Sequence, residues 1–160
     1  IHRHHNPLWP VLADDALTGV FISDAHHLPL EMLRACLRAK GVERFIVTSD
    51  IVHLAGMAPG EYRFCGQKVV LERNGRLHRK GVSTQAGATS DMLDCMNVMA
   101  ALGELSAREL RRVGYDNPLR LLGARIEPRR LATAPPLHLS TASKLVGWAL
   151  PTRIGLSTAS

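Results

Sequence analysis

The feature that most constrains the fold is a strand–helix–strand pattern in the first third of the chain. Two short apolar runs, 18–23 and 44–48, are rich in β-branched and aromatic residues and stop at polar residues, as strands do. Between them, residues 30–40 are good helix formers, preceded by proline and closed by Gly41, which predicts a helix. Two strands joined by a helix are expected to pair in parallel, with a right-handed crossover.

Titratable residues follow both strands at their predicted carboxyl ends. His26 and His27 come after the first strand, and Asp50 comes after the second. Parallel strands end on one side of a sheet, where α/β folds and α/β barrels build their sites. Asp50 could move a proton between a metal-bound water and a leaving amine and also contact the metal, or it could simply cap a loop. His27 could orient a substrate oxygen with His26 behind it, or be a structural histidine.

Composition narrows the class of protein. The chain has 160 residues, 46% of them hydrophobic, which is enough for one ordinary domain with a core. The net charge of +6 would favour nucleic acid, but the basic residues are scattered and only 4% of residues are aromatic, so we expect no nucleic-acid partner. Three cysteines without a CxxC spacing indicate a reducing, cytoplasmic compartment. No apolar run approaches the roughly 20 residues of a membrane helix.

A small β unit is expected at about 61–80, after the strand–helix–strand block. Asn74 and Gly75 are a strong signal for a two-residue hairpin turn within it. The following stretch, 81–89, is rich in small residues and leads into a helix start. Such a loop either offers backbone N–H groups to an anion or is an ordinary connection.

Helical signals follow, and then the pattern changes. Ser90 is a plausible N-cap for a helix over 91–102, and Ser106 begins a capping box whose helix is expected to end near Gly114. Another short helical turn begins at Asn117 and Pro118. Residues 124–160 show no sustained periodicity, so we expect an irregular or disordered tail.

Taken in order, these segments resemble the carboxyl-terminal part of the N-acetylglucosamine-6-phosphate deacetylases, in the amidohydrolase superfamily. The resemblance covers about residues 1–123. The matching segments are Arg3, 22–27, 38–41, 47–50, 54–56, 85–92 and 117–123. It implies an α/β fold, namely the last part of a (β/α)8 TIM barrel beside a small β-sandwich portion. It also implies a metal-dependent deacetylase of a phosphorylated N-acetyl amino sugar, with zinc or iron as cofactor and a dimer as the assembly.

The resemblance also implies roles for particular residues. Asp50 matches the catalytic aspartate, which can also contact the metal, and His27 matches a substrate-binding histidine. Arg3 matches a phosphate-contacting arginine that can come from a neighbouring subunit. The substrate-contacting loop is matched by Gln85, Ala86 and Gly87.

The chain also departs from the family pattern. The family's metal-binding glutamate and two histidines lie on earlier strands, which this chain does not contain. The usual Thr-Asp step is Thr-Ser-Asp here, one residue longer before Asp50, and Ala88 replaces a serine. We therefore expect little or no activity from this chain alone. The alternatives are a different amide or cyclic-amide substrate, and a non-catalytic remnant or interaction module of the same fold.

Overall fold

The computed structural model describes residues 4–124, together with the backbone of 137–140 and 145–148. The helices and strands are, in chain order, α1 (Leu8–Ala13), β1 (Gly19–Ile22), α2 (Leu30–Lys40), β2 (Phe45–Thr48), β3 (Gly60–Phe64), β4 (Gln67–Leu71), β5 (Leu77–Arg79), α3 (Met92–Ala101), α4 (Ala107–Arg111), α5 (Asn117–Leu121), β6 (Leu137–Ser140) and β7 (Leu145–Trp148). A short 3-10 turn, Val42–Arg44, precedes β2, and a π-helical turn, Arg112–Asp116, joins α4 to α5.

The predicted strand–helix–strand block is confirmed. Strands β1 and β2 pair in parallel, with Gly19 opposite Phe45 and Ile22 opposite Thr48. Helix α2 connects them over the predicted residues and ends at Gly41, whose positive φ of 64° is a backbone conformation that favours glycine. Both strands therefore end on the same side of this small sheet.

A hydrophobic core forms where α2 and the later helices pack on these two strands. The rings of Phe21 and Phe45 stack with centroids 4.5 Å apart, and Leu33 of α2 is fully buried. The other buried residues of this cluster are Cys36, Leu37, Val47, Cys95, Met96, Met99, Leu102, Leu110 and Val113. Each fully buried side chain of the Leu, Met or Phe type contributes roughly 1.5–3 kcal/mol, so this cluster holds the unit together.

The β unit is confirmed as a three-stranded antiparallel sheet in the order β3-β4-β5, but the turn prediction at Asn74 and Gly75 was wrong in its length. Glu72 N donates to Arg76 O (2.9 Å) and Gly75 N donates to Glu72 O (3.1 Å), so the loop has three residues, with Gly75 at φ 88°. This is a type I turn followed by a left-handed residue, the common three-residue hairpin. The two-residue turn is at Cys65 and Gly66, where both φ angles are positive.

The helical predictions need two corrections. The N-cap of α3 is Asp91 rather than Ser90, because Asp91 and Asp94 exchange side-chain and backbone hydrogen bonds as a capping box. The capping box at Ser106 is confirmed, but the helix does not end near Gly114. A Cβ at Gly114 would lie 2.5 Å from Met96 Sδ, so this glycine permits close packing inside the π-helical turn and the chain continues into α5.

The described residues therefore form a mixed α/β structure with small sheets. Their parallel sheet has two strands, so these residues do not show a closed barrel. The tail expected over 124–160 falls mostly outside the described residues, and within it β6 and β7 pair antiparallel. Within the described part of the chain, the longest helix has 11 residues, and none combines the length and hydropathy needed to cross a membrane.

Candidate functional site

The site begins where β1 and β2 end side by side. The ladder continues one residue past β1, since Ser23 N donates to Thr48 O at 3.3 Å. After this point β1 leads into a series of bends that begins at Asp24, and β2 leads through Ser49 to Asp50. The sequence-predicted residues His27 and Asp50 thus follow the carboxyl ends of neighbouring parallel strands, as expected.

Asp24 organises the turn that follows β1. Its Oδ1 accepts hydrogen bonds from the backbone N–H groups of His26 and His27, both at 2.9 Å. Its Oδ2 lies 2.8 Å from Nδ1 of the His27 ring. Ala25, between these partners, has a positive φ of 61°, the left-handed conformation that lets the turn close tightly on the carboxylate.

The environment of Asp24 keeps it ionised. Its side chain is only 1% exposed, against 17% for His27. Burial by itself raises the pKa of Asp24, but the hydrogen bonds from the His27 ring and from the two backbone N–H groups outweigh that effect, so the pKa lies below its ordinary value. A buried, ionised carboxylate therefore stands behind the His27 ring.

The β unit reaches this turn through its three-residue hairpin loop. His26 Nε2 lies 3.1 Å from Asn74 O, and Thr89 Oγ1 donates to Gly75 O at 2.5 Å. The turn after β1 is therefore held from one side by Asp24 and from the other by a hairpin about 50 residues later in the chain. The sequence predicted both elements but not their contact.

The predicted substrate-contacting loop spans the two strand ends. Gln85 Nε2 donates to His26 O at 3.0 Å. Three residues later, Ala88 N donates to Asp50 O at 3.2 Å, and Val52 N donates to Ala88 O at 2.9 Å. The loop that contains Gln85, Ala86 and Gly87 thus bridges the chain after β1 and the chain after β2.

Gly87 allows this loop to lie close to the segment that follows β2. Its φ is +118°, and an added Cβ would lie 2.6 Å from Val52 Cγ1. Only glycine adopts that conformation without strain, and only a residue without a side chain fits the gap. The three sequence-predicted segments therefore meet at one edge.

Asp50 is exposed and has a positive φ of 53°. Aspartate tolerates the left-handed region better than most residues, but such a conformation is uncommon outside turns and functional sites. Ser49 is buried, and its Oγ accepts a hydrogen bond from Ile51 N at 3.4 Å.

The described residues do not by themselves fit the divalent metal that the resemblance implies. Among residues 4–124, no group of three or more His, Cys, Asp or Glu side chains is arranged to hold a metal ion. His27 Nδ1 is engaged by Asp24. Arg3, the predicted phosphate contact, lies outside the described residues.

Sequence reasoning missed Asp24 as a site residue. The available signal was its spacing: an aspartate directly after a strand, followed three residues later by a histidine, can accept backbone N–H groups in an Asx-type turn and still reach the ring. What the sequence did not reveal is that the carboxylate is buried under the imidazole.

Comparisons with known proteins agree with this architecture, although no family model matches the chain. The relatives that the chain resembles are named as deacetylases of N-acetylhexosamine 6-phosphates. An Escherichia coli K12 protein, provisionally named an N-acetylgalactosamine-6-phosphate deacetylase, is 29% identical over 123 residues, covering 76% of this chain and 71% of that protein. The N-acetylgalactosamine-6-phosphate deacetylase of Escherichia coli O157:H7 is also 29% identical, over 76% of this chain but 32% of its own length.

A solved structure gives the same result. The N-acetyl-D-glucosamine-6-phosphate deacetylase of Mycobacterium smegmatis matches with a TM-score of 0.67 and 26% identity, over 74% of this chain and 32% of that chain. The chain thus spans about a third of two of these relatives and 71% of the other. The resemblance to this family is confirmed: about three quarters of the chain is similar to part of these deacetylases.

Proposed function

We propose that the chain forms part of the active site of a deacetylase that hydrolyses the acetamide of a phosphorylated N-acetyl amino sugar. The relatives are named as deacetylases of N-acetylgalactosamine or N-acetylglucosamine 6-phosphate, which supports this substrate class. The observation that carries the proposal is the meeting of the chain after β1, the chain after β2 and the loop at Gln85–Ala88 on one edge.

Each residue has a definite task in this proposal. The reaction breaks the C–N bond of the acetamide, adds water across it and yields acetate and the free amine. Asp50 takes the proton from the attacking water and returns it to the leaving nitrogen, as a general base and then a general acid. His27 contacts a substrate oxygen through the ring nitrogen that faces away from Asp24. Gln85, Ala86 and Gly87 line the sugar, and Arg3 binds the phosphate as a charge-assisted fork.

A divalent metal, zinc or iron, is part of the proposal, and residues outside those described would supply its ligands. The proposal also includes a dimer, in which Arg3 of one subunit would complete the phosphate site of the other, and a cytoplasmic location. An eight-stranded barrel needs about 250 residues, so we propose that this chain alone has little or no turnover.

The second candidate is a non-catalytic remnant or interaction module of the same fold. The observation that favours it is that residues 4–124 offer no cluster of three metal-ligating side chains. This candidate keeps the strand–helix–strand unit and its buried core but needs neither Asp50 nor His27 for a reaction.

Metal analysis and a deacetylase assay on the purified chain separate the two candidates. The substrates are the 6-phosphates of N-acetylglucosamine and N-acetylgalactosamine, with zinc or ferrous iron added, and free amine is the product measured. Chemical-shift changes on adding either sugar phosphate report binding even without turnover. The proposal expects shifts at His27, Asp50 and the Gln85–Ala88 loop. A folded chain with no metal, no turnover and no shift at these residues supports the remnant.

Asp50→Asn is the matched control for this experiment. Asparagine tolerates the left-handed conformation as well as aspartate does, so the variant removes the charge without adding backbone strain. The proposal expects folding to be unchanged and any turnover to fall by roughly a hundredfold or more, the usual contribution of a positioned general base. Full turnover by this variant would refute the role of Asp50.

A further inference from the structure

We propose that Asp24 is the positioning residue for His27: it holds the imidazole with a proton on Nδ1 and leaves Nε2 as the nitrogen that meets a ligand. This inference rests on the proposed function for its purpose, because His27 is the side chain that contacts the sugar there. The contact between Asp24 and His27 depends only on the described geometry, not on the proposed function.

The contacts of Asp24 divide between its two oxygens. Oδ1 accepts the backbone N–H groups of His26 and His27, which fixes the turn, and Oδ2 faces Nδ1 of the His27 ring. With a side chain only 1% exposed, the carboxylate has little access to water as an alternative partner. One buried group thus shapes the backbone of the turn and orients the ring that the turn carries.

The protonation of the pair follows from the inventory of donors and acceptors. Because the pKa of Asp24 is lowered, its carboxylate is ionised near neutral pH and can only accept hydrogen bonds. A hydrogen bond at 2.8 Å therefore requires the hydrogen to be on His27 Nδ1. Any second proton can attach only to Nε2, on the side of the ring away from Asp24.

This arrangement defines what His27 can do for a ligand. In the neutral ring, Nε2 is an acceptor, and in the imidazolium it donates a hydrogen bond while Asp24 balances the positive charge. The ring is therefore already oriented before a ligand binds, and it loses less rotational freedom when the contact forms. A carboxylate that fixes the tautomer and orientation of a histidine is a recurrent device in sites that use an imidazole.

The neighbouring His26 provides an internal reference of the opposite kind. Its Nε2 lies 3.1 Å from Asn74 O, a carbonyl that can only accept. When neutral, His26 must therefore carry its hydrogen on Nε2, whereas His27 carries it on Nδ1. Two adjacent histidines with opposite tautomers are a specific outcome that a disordered loop would not produce.

Asp24→Asn tests the assignment in the full chain. The asparagine Oδ1 can still accept both backbone N–H groups, so the turn is kept. Its Nδ2 can only donate and now faces His27 Nδ1, which must become the acceptor. Imidazole ¹⁵N and ¹³C NMR, at a pH where both rings are neutral, is expected to show the His27 hydrogen moving from Nδ1 to Nε2 while His26 keeps its hydrogen on Nε2.

Several results would overturn the proposal. These are a wild-type His27 that is mainly the Nε2–H tautomer, random-coil shifts at His27, or an Asp24→Asn chain in which the tautomer stays the same. Loss of fold in Asp24→Asn would also count against it, because Asp24 would then be structural.

Titration with N-acetylglucosamine 6-phosphate separates this inference from the proposed function. If the wild-type tautomer is as expected but the sugar phosphate does not shift His27, the positioning role stands and the deacetylase assignment fails. If the wild-type chain binds the sugar phosphate but His27 is not the expected tautomer, the proposed function stands and the positioning role of Asp24 fails. Where both hold, Asp24→Asn is expected to weaken binding at least tenfold, and Asp24→Glu to recover part of that loss.

Discussion

Replacing Gly87 with alanine would test whether the loop that bridges the two strand ends is packed as described. The substitution adds one Cβ, which would lie 2.6 Å from Val52 Cγ1, at a backbone φ of +118°. Both effects oppose the native loop. The first is a steric contact far inside van der Waals distance, and the second is a conformation reserved almost entirely for glycine.

The two costs can be estimated separately. Forcing a non-glycine residue into a sparsely populated backbone region costs about 1–3 kcal/mol. Overpacking by one carbon in a site that cannot expand costs a further 1–3 kcal/mol or so. Gly87→Ala is therefore expected to destabilise the loop by about 2–6 kcal/mol, a large fraction of the roughly 5–15 kcal/mol by which domains are stable.

Urea unfolding and amide hydrogen exchange of the full chain measure this loss. Exchange at Val52 and Ala88 is the local readout, because their N–H groups donate to Ala88 O and Asp50 O within the bridge. Gly103→Ala is the matched control: its φ is also positive, +72°, but nothing lies within 4 Å of the added Cβ, so only about 1 kcal/mol is expected.

A double variant isolates the contact. Val52→Ala removes the methyl group that a Cβ at Gly87 would meet, so Gly87→Ala should cost about 1–2 kcal/mol less in that background. If Gly87→Ala costs no more than Gly103→Ala, or if Val52→Ala gives no relief, the described approach of the two segments is wrong. The bridge between the strand ends, and with it the proposed site, would then lose its basis.

Three further outcomes are expected. Asn117→Ala should cost about 2–4 kcal/mol in urea unfolding, because the buried Nδ2 donates to two backbone carbonyls just ahead of and within β2, at 2.7 and 2.8 Å. The exposed Cys65 should react with a thiol reagent in the native chain, whereas Cys36 and Cys95 should react only on unfolding, since burial raises the pKa of both thiols and that of Cys95 to about 12. The pKa of Asp24 is lower in the folded chain than its ordinary value near 3.8. The stability contributed by the ionised carboxylate is therefore present above that ordinary value and is lost as the pH falls through the folded pKa. In unfolding measured as a function of pH, Asp24→Asn should reduce this loss of stability in acid.

Local signals accounted for most of the secondary structure. The helix at Leu30–Lys40, the strands on either side and the capping box at Ser106 each depend on residues a few positions apart, so a reading of the chain could predict them. The same local signals predicted that His27 and Asp50 follow neighbouring parallel strands. The resemblance to sugar-phosphate deacetylases rested on the order of such segments, and the relatives confirmed it.

Long-range contacts decided the rest. Lys40 would be expected at the surface, but it is 2% exposed because its Nζ donates to Val11 O and Asp14 O at the end of α1. Gly114 continues a helical segment instead of ending it because Met96 packs against it.

In the site, the contacts that matter join positions far apart in the chain, such as Gln85 with His26 and His26 with Asn74. Sequence by itself determined the elements and the polar residues at their ends, since propensity and capping act within a turn or two. Only the tertiary structure determined that Asp24 is buried beneath His27 and that one loop joins both strand ends, because burial and hydrogen-bond partners depend on which distant segments fold together.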